Sequence, residues 1–416
     1  MDKNFAQNHP VDNSALIHLA LHNTWHSNCF RLVAHLKKSI QPAKLQKAVD
    51  ALAPRFPMLA AGIRQKGKAF VVTPQTEHLY IRWDNEMLAY MSMEEIRDCA
   101  LRVLYGPRHI AIEIFHSLTD GTGALQFLKA LLAEYLGTAA EPASLEAAWE
   151  DSYQVHAEEK PTSIPGGVSY LLPAAQEGEQ KIYQTTLNFS VKELLTVTRA
   201  DHTTITAFFA ALFAQTAMKQ QQSEKETSGE ALLPVQVMVP INLRKQFASD
   251  SLRNFSLYAL PKLLPEAADA PFSEIAQSMA VQIQAQSAKS RLRAAIATNV
   301  ALERKTAAFP LWIKCAALRS GFEVCGGRSS CITVSNLGQV TFPDCIQQEL
   351  EQLDFMLTPR VHSPYNCGIV SLGDTLSLTI TRRGEDKGIE KMFVSLLIKL
   401  GIVPTVVENE VVAQAS

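Results

Sequence analysis

The sequence lacks the patterns of a zinc ribbon, a disulfide-rich domain or a membrane protein. Its seven cysteines are odd in number and include no Cys-x-x-Cys pair. This usage favours free thiols in a reducing compartment, so we expect a cytoplasmic protein that holds no metal. The N-terminus has no apolar run typical of a secretory signal. The apolar stretch at 392–403 is interrupted by Lys399 and Gly401. A bilayer requires about 20 apolar residues, so we expect no membrane span.

The sequence also lacks a surplus of charge. Lys and Arg number 39 and Asp and Glu number 41, for a formal net charge of -2. Because binding to phosphates needs clustered excess Lys and Arg, we expect no nucleic-acid partner. A Gly-x-Ser-x-Gly elbow, which would present a nucleophilic serine, is absent. What is present is an ordinary globular composition, 47% hydrophobic over 416 residues, which is enough for two to three domains or two large lobes.

Helical and strand-like patterns occur in both halves of the chain. Residues 30–36 read as a strand, and an apolar stripe behind Pro42 reads as a helix. In the second half, residues 204–218 predict an apolar helix and residues 376–381 a late strand. Residues 138–182 are rich in Ala, Glu, Pro and Gly, which is typical of a linker. The sequence therefore predicts an α/β or α+β fold with two lobes.

The clearest local signal is a strand followed by a histidine motif. Isoleucines alternate with other residues over 110–114, and His116 to Gly121 then read His-Ser-Leu-Thr-Asp-Gly before a predicted helix. Histidine suits proton transfer near neutral pH, and a strand end would aim it into a cleft. The alternative is a surface turn in which Asp120 only caps the helix.

The surroundings of this motif carry a resemblance to a known superfamily. Phe115 to Gly121 resemble the HHxxxDG signature of the chloramphenicol acetyltransferase-like acyltransferases, which include the condensation domains of peptide synthetases and the plant BAHD enzymes. The chain is similar in particular to the alcohol acetyltransferase branch. Further matching stretches occur in order along the chain, at residues 28–32, 55–57, 239–244, 252–255, 299–304 and 334–338.

Two departures from the superfamily pattern stand out. The first histidine of HHxxxDG is Phe115 here, whereas the second, which is the base in the superfamily, is kept as His116. The DFGWG motif of several branches is absent, and Ser335-Asn336-Leu337-Gly338 stands in a comparable place. Retention of His116 argues against loss of activity. Because the DFGWG motif is missing, the donor and acceptor preferences of the plant enzymes and of the condensation domains cannot simply be assigned to this chain.

The resemblance implies a fold and a reaction. It implies two lobes, over residues 1–160 and 161–416, each a mixed β-sheet with flanking helices, and an active-site channel between them. It implies transfer of an acyl group from acetyl-CoA or another acyl-CoA, which would be a co-substrate and not a tightly bound cofactor. His116 would be the general base for a small-molecule alcohol or amine, and the freed nucleophile would attack the thioester directly. The expected reaction is O-acetylation of an alcohol.

The resemblance also implies roles for further residues. Ser335 and Asn336 are candidates for the oxyanion or acceptor contacts that such a reaction needs. The alternative for this Ser-Asn-Leu-Gly stretch is a simple turn. Asp120 either orients the imidazole, as the acid of a triad does, or points away from it into an ion pair. Arg244 resembles the partner in that pair, and Gly121 completes the motif. An exposed arginine after a strand is the alternative for Arg244.

Three further histidines, His18, His22 and His26, are spaced by four residues and would share one helical face. A metal site is conceivable, but no acidic or cysteine ligand accompanies them at close spacing. Lining of the acceptor side of the cleft is the better interpretation, because N-terminal segments contribute there in the resembled fold.

Two other functions remain open from the sequence. One is amide or ester formation from thioesters on a carrier protein, as in condensation domains. The other is a non-catalytic binding protein on the same fold, which Phe115 and the missing DFGWG motif leave possible.

Overall fold

The protein is described here from a computed structural model. The structure describes residues 9–74, 78–138, 149–158, 160, 167–173, 181–325, 327–360 and 363–407. The predicted linker at 138–182 therefore lies mostly outside the described residues.

Strands and helices occur in both halves of the described chain, as the sequence predicts. The strands are β1 (His9–Pro10), β2 (Cys29–Leu36), β3 (Ala61–Lys66), β4 (Ala69–Pro74), β5 (Ile81–Trp83), β6 (Leu101–Tyr105), β7 (His109–Phe115), β8 (Ile182–Ser190), β9 (Val235–Asn242), β10 (Ser256–Ala259), β11 (Lys262–Leu263), β12 (Ile332–Val340), β13 (Leu350–Leu357), β14 (Tyr365–Leu372), β15 (Thr375–Arg383) and β16 (Thr405–Val407). The helices are α1 (Asn13–Leu21), α2 (Pro42–Leu52), α3 (Met93–Asp98), α4 (Gly121–Leu136), α5 (Ser152–Val155), α6 (Val191–Ala200), α7 (Ile205–Ser228), α8 (Phe272–Gln286), α9 (Lys289–Thr306), α10 (Leu311–Cys325), α11 (Asp344–Gln347) and α12 (Gly388–Lys399).

Each lobe is built on a mixed sheet, which confirms the predicted fold class. Within the described residues the first sheet has the strand order β13-β2-β7-β6-β5, in which β5 and β6 are parallel. The second has the order β10-β9-β12-β14-β15-β8-β16, with β11 also paired to β9. Its strand β12 runs parallel to both β9 and β14. Strands β1, β4 and β3 form a small third sheet.

The predicted helical stripes are the buried faces of the helices. Helix α2 begins at Pro42, which is tolerated in a first turn because its missing N–H has no helical partner there. Its Leu45, Val49 and Leu52 are fully buried. The apolar helix predicted over 204–218 is α7, which continues to Ser228 and ends where Gly229 adopts the left-handed conformation. The helices therefore cover the sheets through the residues that the sequence periodicity identifies.

One strand crosses between the two halves of the chain. Strand β13 follows β12 of the second sheet in sequence, yet it pairs antiparallel with β2 of the first sheet, with Phe355 opposite Leu32. Leu353 and Phe355 are buried in the core of the first lobe. The division into residues 1–160 and 161–416 stays a prediction, and β13 is a part of the second half that completes the first sheet.

The described helices include none that is both long enough and apolar enough to cross a membrane. The C-terminal apolar stretch forms α12, where Phe393 and Leu397 are fully buried. This part of the sequence is therefore a core helix of the second lobe.

Candidate active site

The histidine motif lies where β7 ends and α4 begins. The backbone N–H of His116 donates to the carbonyl of Asn28 at 2.9 Å, at the start of the neighbouring strand β2. Asn28 has a positive φ of 51°, and its side-chain amide donates to the carbonyls of His18 and His26. The Ser117 hydroxyl donates to the carbonyl of Ala15 in α1 at 2.7 Å. The turn that carries His116 is thus fixed by the first sheet and by the N-terminal helix.

Aromatic rings enclose the His116 imidazole. The ring stacks on that of His18, with centroids 4.5 Å apart and planes 11° from parallel. Phe30 approaches it at 5.0 Å with its ring inclined by 62°. Nδ1 of His116 is buried and makes no hydrogen bond to another described residue. Nε2 is not among the buried nitrogens, and no described residue hydrogen-bonds to it, so it is the ring nitrogen that remains open to solvent.

Both stacked histidines favour the neutral form. Burial lowers the pKa of His116 from its ordinary value of 6.5, against opposing contributions from its own backbone and from the charge of Asp120. Burial also lowers the pKa of His18, well below 6.5, and the neighbouring His116 lowers it further. A neutral imidazole with one open nitrogen can accept a proton, which is what a general base requires.

Asp120 does not hydrogen-bond to His116. One carboxylate oxygen accepts from the backbone N–H groups of Thr122 and Gly123, which caps α4. The other accepts from Arg244 at 2.6 Å and from the backbone N–H of Phe255 at 2.9 Å. Of the two arrangements that the sequence left open, the structure contains the ion pair and lacks the His116–Asp120 hydrogen bond. Asp120 also caps α4, as the sequence suggested, so the same carboxylate both caps the helix and pairs with Arg244.

Arg244 ties together the segments around the start of α4. Besides the ion pair, its guanidinium donates to the carbonyl of Ser251 at 2.9 and 3.1 Å and to that of Arg253. Its side chain is 10% exposed, so it is not the exposed arginine that the sequence allowed. The planar guanidinium with its five donors suits this multiple contact.

Close packing brings the candidate loop Ser335-Asn336-Leu337-Gly338 to the same place. A Cβ atom added to Gly121 would lie 2.7 Å from a methyl group of Leu337. One added to Gly123 would lie 2.7 Å from the carbonyl oxygen of Leu252, a backbone atom that has little room to move. The start of α4 therefore approaches the side chain of Leu337 and the backbone of Leu252 too closely for a side chain at either glycine.

Ser335 and Asn336 do not lie in a loop after a strand, as the sequence suggested. Both belong to β12, which continues past Val334 to Val340 through a one-residue bulge, where Gly338 has a φ of 80°. The Asn336 side chain donates to the Thr206 hydroxyl at 3.0 Å and accepts from the Gly338 N–H at 2.8 Å. In the described part of the chain neither side chain hydrogen-bonds to His116.

His18, His22 and His26 do not share one helical face. Helix α1 ends at Leu21, because the backbone of His22 is extended, and His26 forms an isolated bridge with Asn23 beyond the helix. The predicted helical spacing is therefore wrong after His18. Among the described residues no group of three His, Cys, Asp or Glu side chains could hold a metal ion. His18 alone lies against His116.

Sequence reasoning did not identify Arg360, a partly buried arginine after β13. Its Nη2 lies 3.4 Å from the Thr333 hydroxyl, and its guanidinium carbon lies 5.7 Å from the centre of the Phe322 ring. Its charge contributes to lowering the pKa of His18. No sequence signal marks this residue, because its neighbours come from separate parts of the chain.

The chain was compared with known proteins. No protein-family model and no curated protein sequence matches it. Solved structures do match. TRI101 of F. graminearum, complexed with coenzyme A and deoxynivalenol, is 10% identical with a TM-score of 0.64, over 97% of this chain and 100% of that one. The trichothecene 15-O-acetyltransferase TRI3 of Fusarium sporotrichioides is 11% identical with a TM-score of 0.59, over 94% and 93% of the two chains.

A condensation domain is similar to the same extent. The starter condensation domain of rhizomide synthetase, whose H140A/R148A mutant was solved with C8-CoA and Leu-SNAC, is 13% identical with a TM-score of 0.58. The match covers 92% of each chain. At these identities the likeness concerns the fold, and it extends over nearly the whole of this chain.

Proposed function

We propose that this chain, which has the two-lobe fold of the CoA-dependent acyltransferases and condensation domains, transfers an acyl group from acyl-CoA to the hydroxyl of a small-molecule alcohol. The expected acyl group is acetyl. The observation that carries the proposal is the His116 imidazole, which is held at a strand end, favours the neutral form and keeps Nε2 open. The fold is shared with acetyltransferases, one of them solved with coenzyme A.

In the proposed reaction His116 is the general base. Nδ1 carries the ring proton, and Nε2 accepts the proton of the acceptor hydroxyl as its oxygen attacks the thioester carbon. The tetrahedral intermediate collapses with cleavage of the C–S bond. The proton on Nε2 then passes to the leaving sulfur, which gives free coenzyme A and the ester. No acyl-enzyme is formed, so no serine or cysteine nucleophile is needed.

The other site residues have supporting roles in this proposal. Asp120 and Arg244 are positioning residues, because their ion pair fixes the start of α4 and leaves no hydrogen bond for His116. Gly121 permits the close approach of Leu337. Ser335 and Asn336 stay candidates for the oxyanion or acceptor contacts. Of the two, Asn336 already has partners for its side chain, which makes Ser335 the freer donor.

A carrier-protein thioester is the second candidate donor, and the likeness to a condensation domain favours it. The two donors carry the same acyl thioester and differ only in the group attached to its sulfur. The chemistry at His116 would be the same.

The test is mass-spectrometric detection of acylated product and free coenzyme A. The purified protein is incubated with acetyl-CoA and a pooled panel of alcohols and amines, beside His116→Ala and the control His78→Ala. His78 is an exposed histidine of the first lobe. We expect product that depends on an alcohol, persists in His78→Ala and is lost in His116→Ala. Turnover only with carrier-bound thioesters would favour the condensation-like reaction. Failure of every donor would favour a binding protein.

A further inference from the structure

Arg360 is held in place by its backbone. Its N–H donates to the carbonyl of Ser363 at 2.9 Å, and the N–H of Ser363 donates back to its carbonyl at 3.1 Å. This bridge follows β13, the strand that joins the first sheet. The guanidinium extends from this fixed point toward Thr333 of β12 and Phe322 of α10.

The charge of Arg360 has no acidic partner among the described residues. Three other arginines that are shielded from solvent do have one. Arg31 lies 2.9 Å from Glu113, Arg102 lies 3.0 Å from the same carboxylate, and Arg382 lies 2.7 Å from Glu390. Within the described part of the chain, the polar contact of the Arg360 guanidinium is one long contact of 3.4 Å to the Thr333 hydroxyl.

An unpaired guanidinium in such surroundings is unfavourable. Removing a charge from water is costly unless an opposite charge and hydrogen bonds replace the water. Burial lowers the pKa of Arg360, which expresses the same penalty. A guanidinium also carries five N–H donors in a planar fork, and most of them have no partner among the described residues. The site is therefore suited to a ligand that brings an anion.

The charge of Arg360 lies close to His116, the proposed general base. Thr358, two residues before Arg360, donates through its backbone N–H and its hydroxyl to the carbonyl of Cys29. Cys29 follows Asn28, whose carbonyl accepts from the His116 N–H. The charge of Arg360 also acts on His18, which stacks on His116 at 4.5 Å. Asp120, the acid of the histidine motif, is occupied by Arg244 and by three backbone N–H groups. The protein thus presents a positive charge near His116 and no free carboxylate of that motif to match it.

We propose that Arg360 binds a carboxylate of the substrate beside His116, so that the enzyme acts on a substrate that carries an anionic group close to the reacting atoms. This inference rests on the proposed function and specifies its substrate class. A carboxylate matches the planar fork through two parallel hydrogen bonds. It can belong to the acceptor, as in a hydroxy acid, or to the acyl group, as in a dicarboxylic acyl-CoA.

The experiment compares substrates in matched pairs. For the acceptor, 6-hydroxyhexanoate and 3-hydroxybenzoate are each compared with their methyl esters, with acetyl-CoA as donor. For the donor, succinyl-CoA is compared with butyryl-CoA, with a neutral alcohol as acceptor. The proteins are wild type, Arg360→Met, Arg360→Lys and the control Arg199→Met, an exposed arginine of α6. Far-UV circular dichroism and urea midpoints verify that each variant is folded.

We expect kcat/KM to favour the anionic member of one pair by at least tenfold in wild type and in Arg199→Met. Arg360→Met loses this preference and keeps turnover of the neutral member, and Arg360→Lys retains part of it. A preference in the acceptor pair places the carboxylate on the acceptor, and one in the donor pair places it on the acyl group. Turnover without a preference that depends on Arg360 overturns the anion site and leaves the proposed function standing.

A binding measurement separates the two proposals if no turnover occurs. Calorimetry with the two hydroxy acids and their esters, and with both acyl-CoA donors, is made on His116→Ala and on the double variant His116→Ala/Arg360→Met. Tighter binding of an anionic probe that disappears in the double variant supports the anion site although acyl transfer has failed. Equal affinity of both proteins for every anionic probe overturns the site.

Discussion

The ion pair between Asp120 and Arg244 can be tested as a structural unit. The two side chains are 7% and 10% exposed and lie 2.6 Å apart. Asp120→Ala removes three things together, namely the cap of α4, the acceptor for the Phe255 N–H and the charge opposite Arg244. Asp120→Asn keeps one oxygen for the cap, removes the charge and puts an NH2 group where the second oxygen accepted from Arg244 and from the Phe255 N–H.

The expected loss is derived from these contacts. Loss of an N-cap costs about 1 kcal/mol, and a buried N–H without an acceptor costs about 1–3 kcal/mol. A buried charge that has lost its partner, here that of Arg244, costs about 3–5 kcal/mol. The contributions share partners, so they do not add in full. We expect the free energy of unfolding to fall by about 4–6 kcal/mol in Asp120→Ala, and by about 1 kcal/mol less in Asp120→Asn, which keeps the cap.

A double-mutant cycle with Arg244→Met isolates the pair. Urea unfolding of the wild type, of Asp120→Asn, of Arg244→Met and of the double variant is followed by circular dichroism. Because the double variant leaves no unpaired charge, we expect a coupling energy of about 2–3 kcal/mol. The control is Glu134→Gln, which breaks the Arg55–Glu134 pair at 3.4 Å, where each side chain is about one third exposed, and should cost less than about 1 kcal/mol. A coupling energy near zero would refute the reasoning.

Two further predictions concern the stacked histidines. His18→Phe should retain most of kcat, because it keeps a flat ring against His116, whereas His18→Ala should lower kcat about tenfold. Equal activities of the two variants in steady-state assays would contradict a positioning role for His18. Burial lowers the pKa of both His18 and His116 below 6.5, so the unfolded chain binds more protons than the folded one as the pH drops below 6.5. The free energy of unfolding should therefore decrease from pH 6.5 toward pH 5, by up to about 1.4 kcal/mol per pH unit for each histidine, and less steeply in His18→Phe. Urea unfolding at several pH values measures this slope, and identical slopes in the two proteins would show the pKa shift of His18 to be absent.

The sequence predicts the local part of the site well. The alternation of isoleucines ending at His116 is β7, and the Asp120-Gly121 step is the start of α4, because both signals are periodic and lie within one short segment. Prediction from the sequence fails where tertiary contacts decide the structure. The end of α1 at Leu21 is an example, since the spacing of the histidines continues beyond it.

Long-range pairing accounts for the other differences. Strand β13 lies in the second half of the chain, and nothing in its own residues indicates β2 as its partner. Arg360 follows that strand, and its surroundings come from α10 and β12. Among the described residues no carboxylate pairs with Arg360. This depends on which segments surround it in the folded protein, and no local sequence pattern indicates them.

The crossing of β13 also has a consequence for synthesis of the protein on the ribosome. The edge of β2 that β13 covers is a run of mostly buried residues from Cys29 to Leu36, and an uncovered apolar edge invites pairing with other chains. About 220 residues separate the end of α4 from the end of β13. At roughly 5–20 residues per second, the nascent first lobe waits about 10–45 s for its last strand. During that interval the half-built lobe is exposed to aggregation and to chaperones, and truncation before Leu350 would make that state permanent.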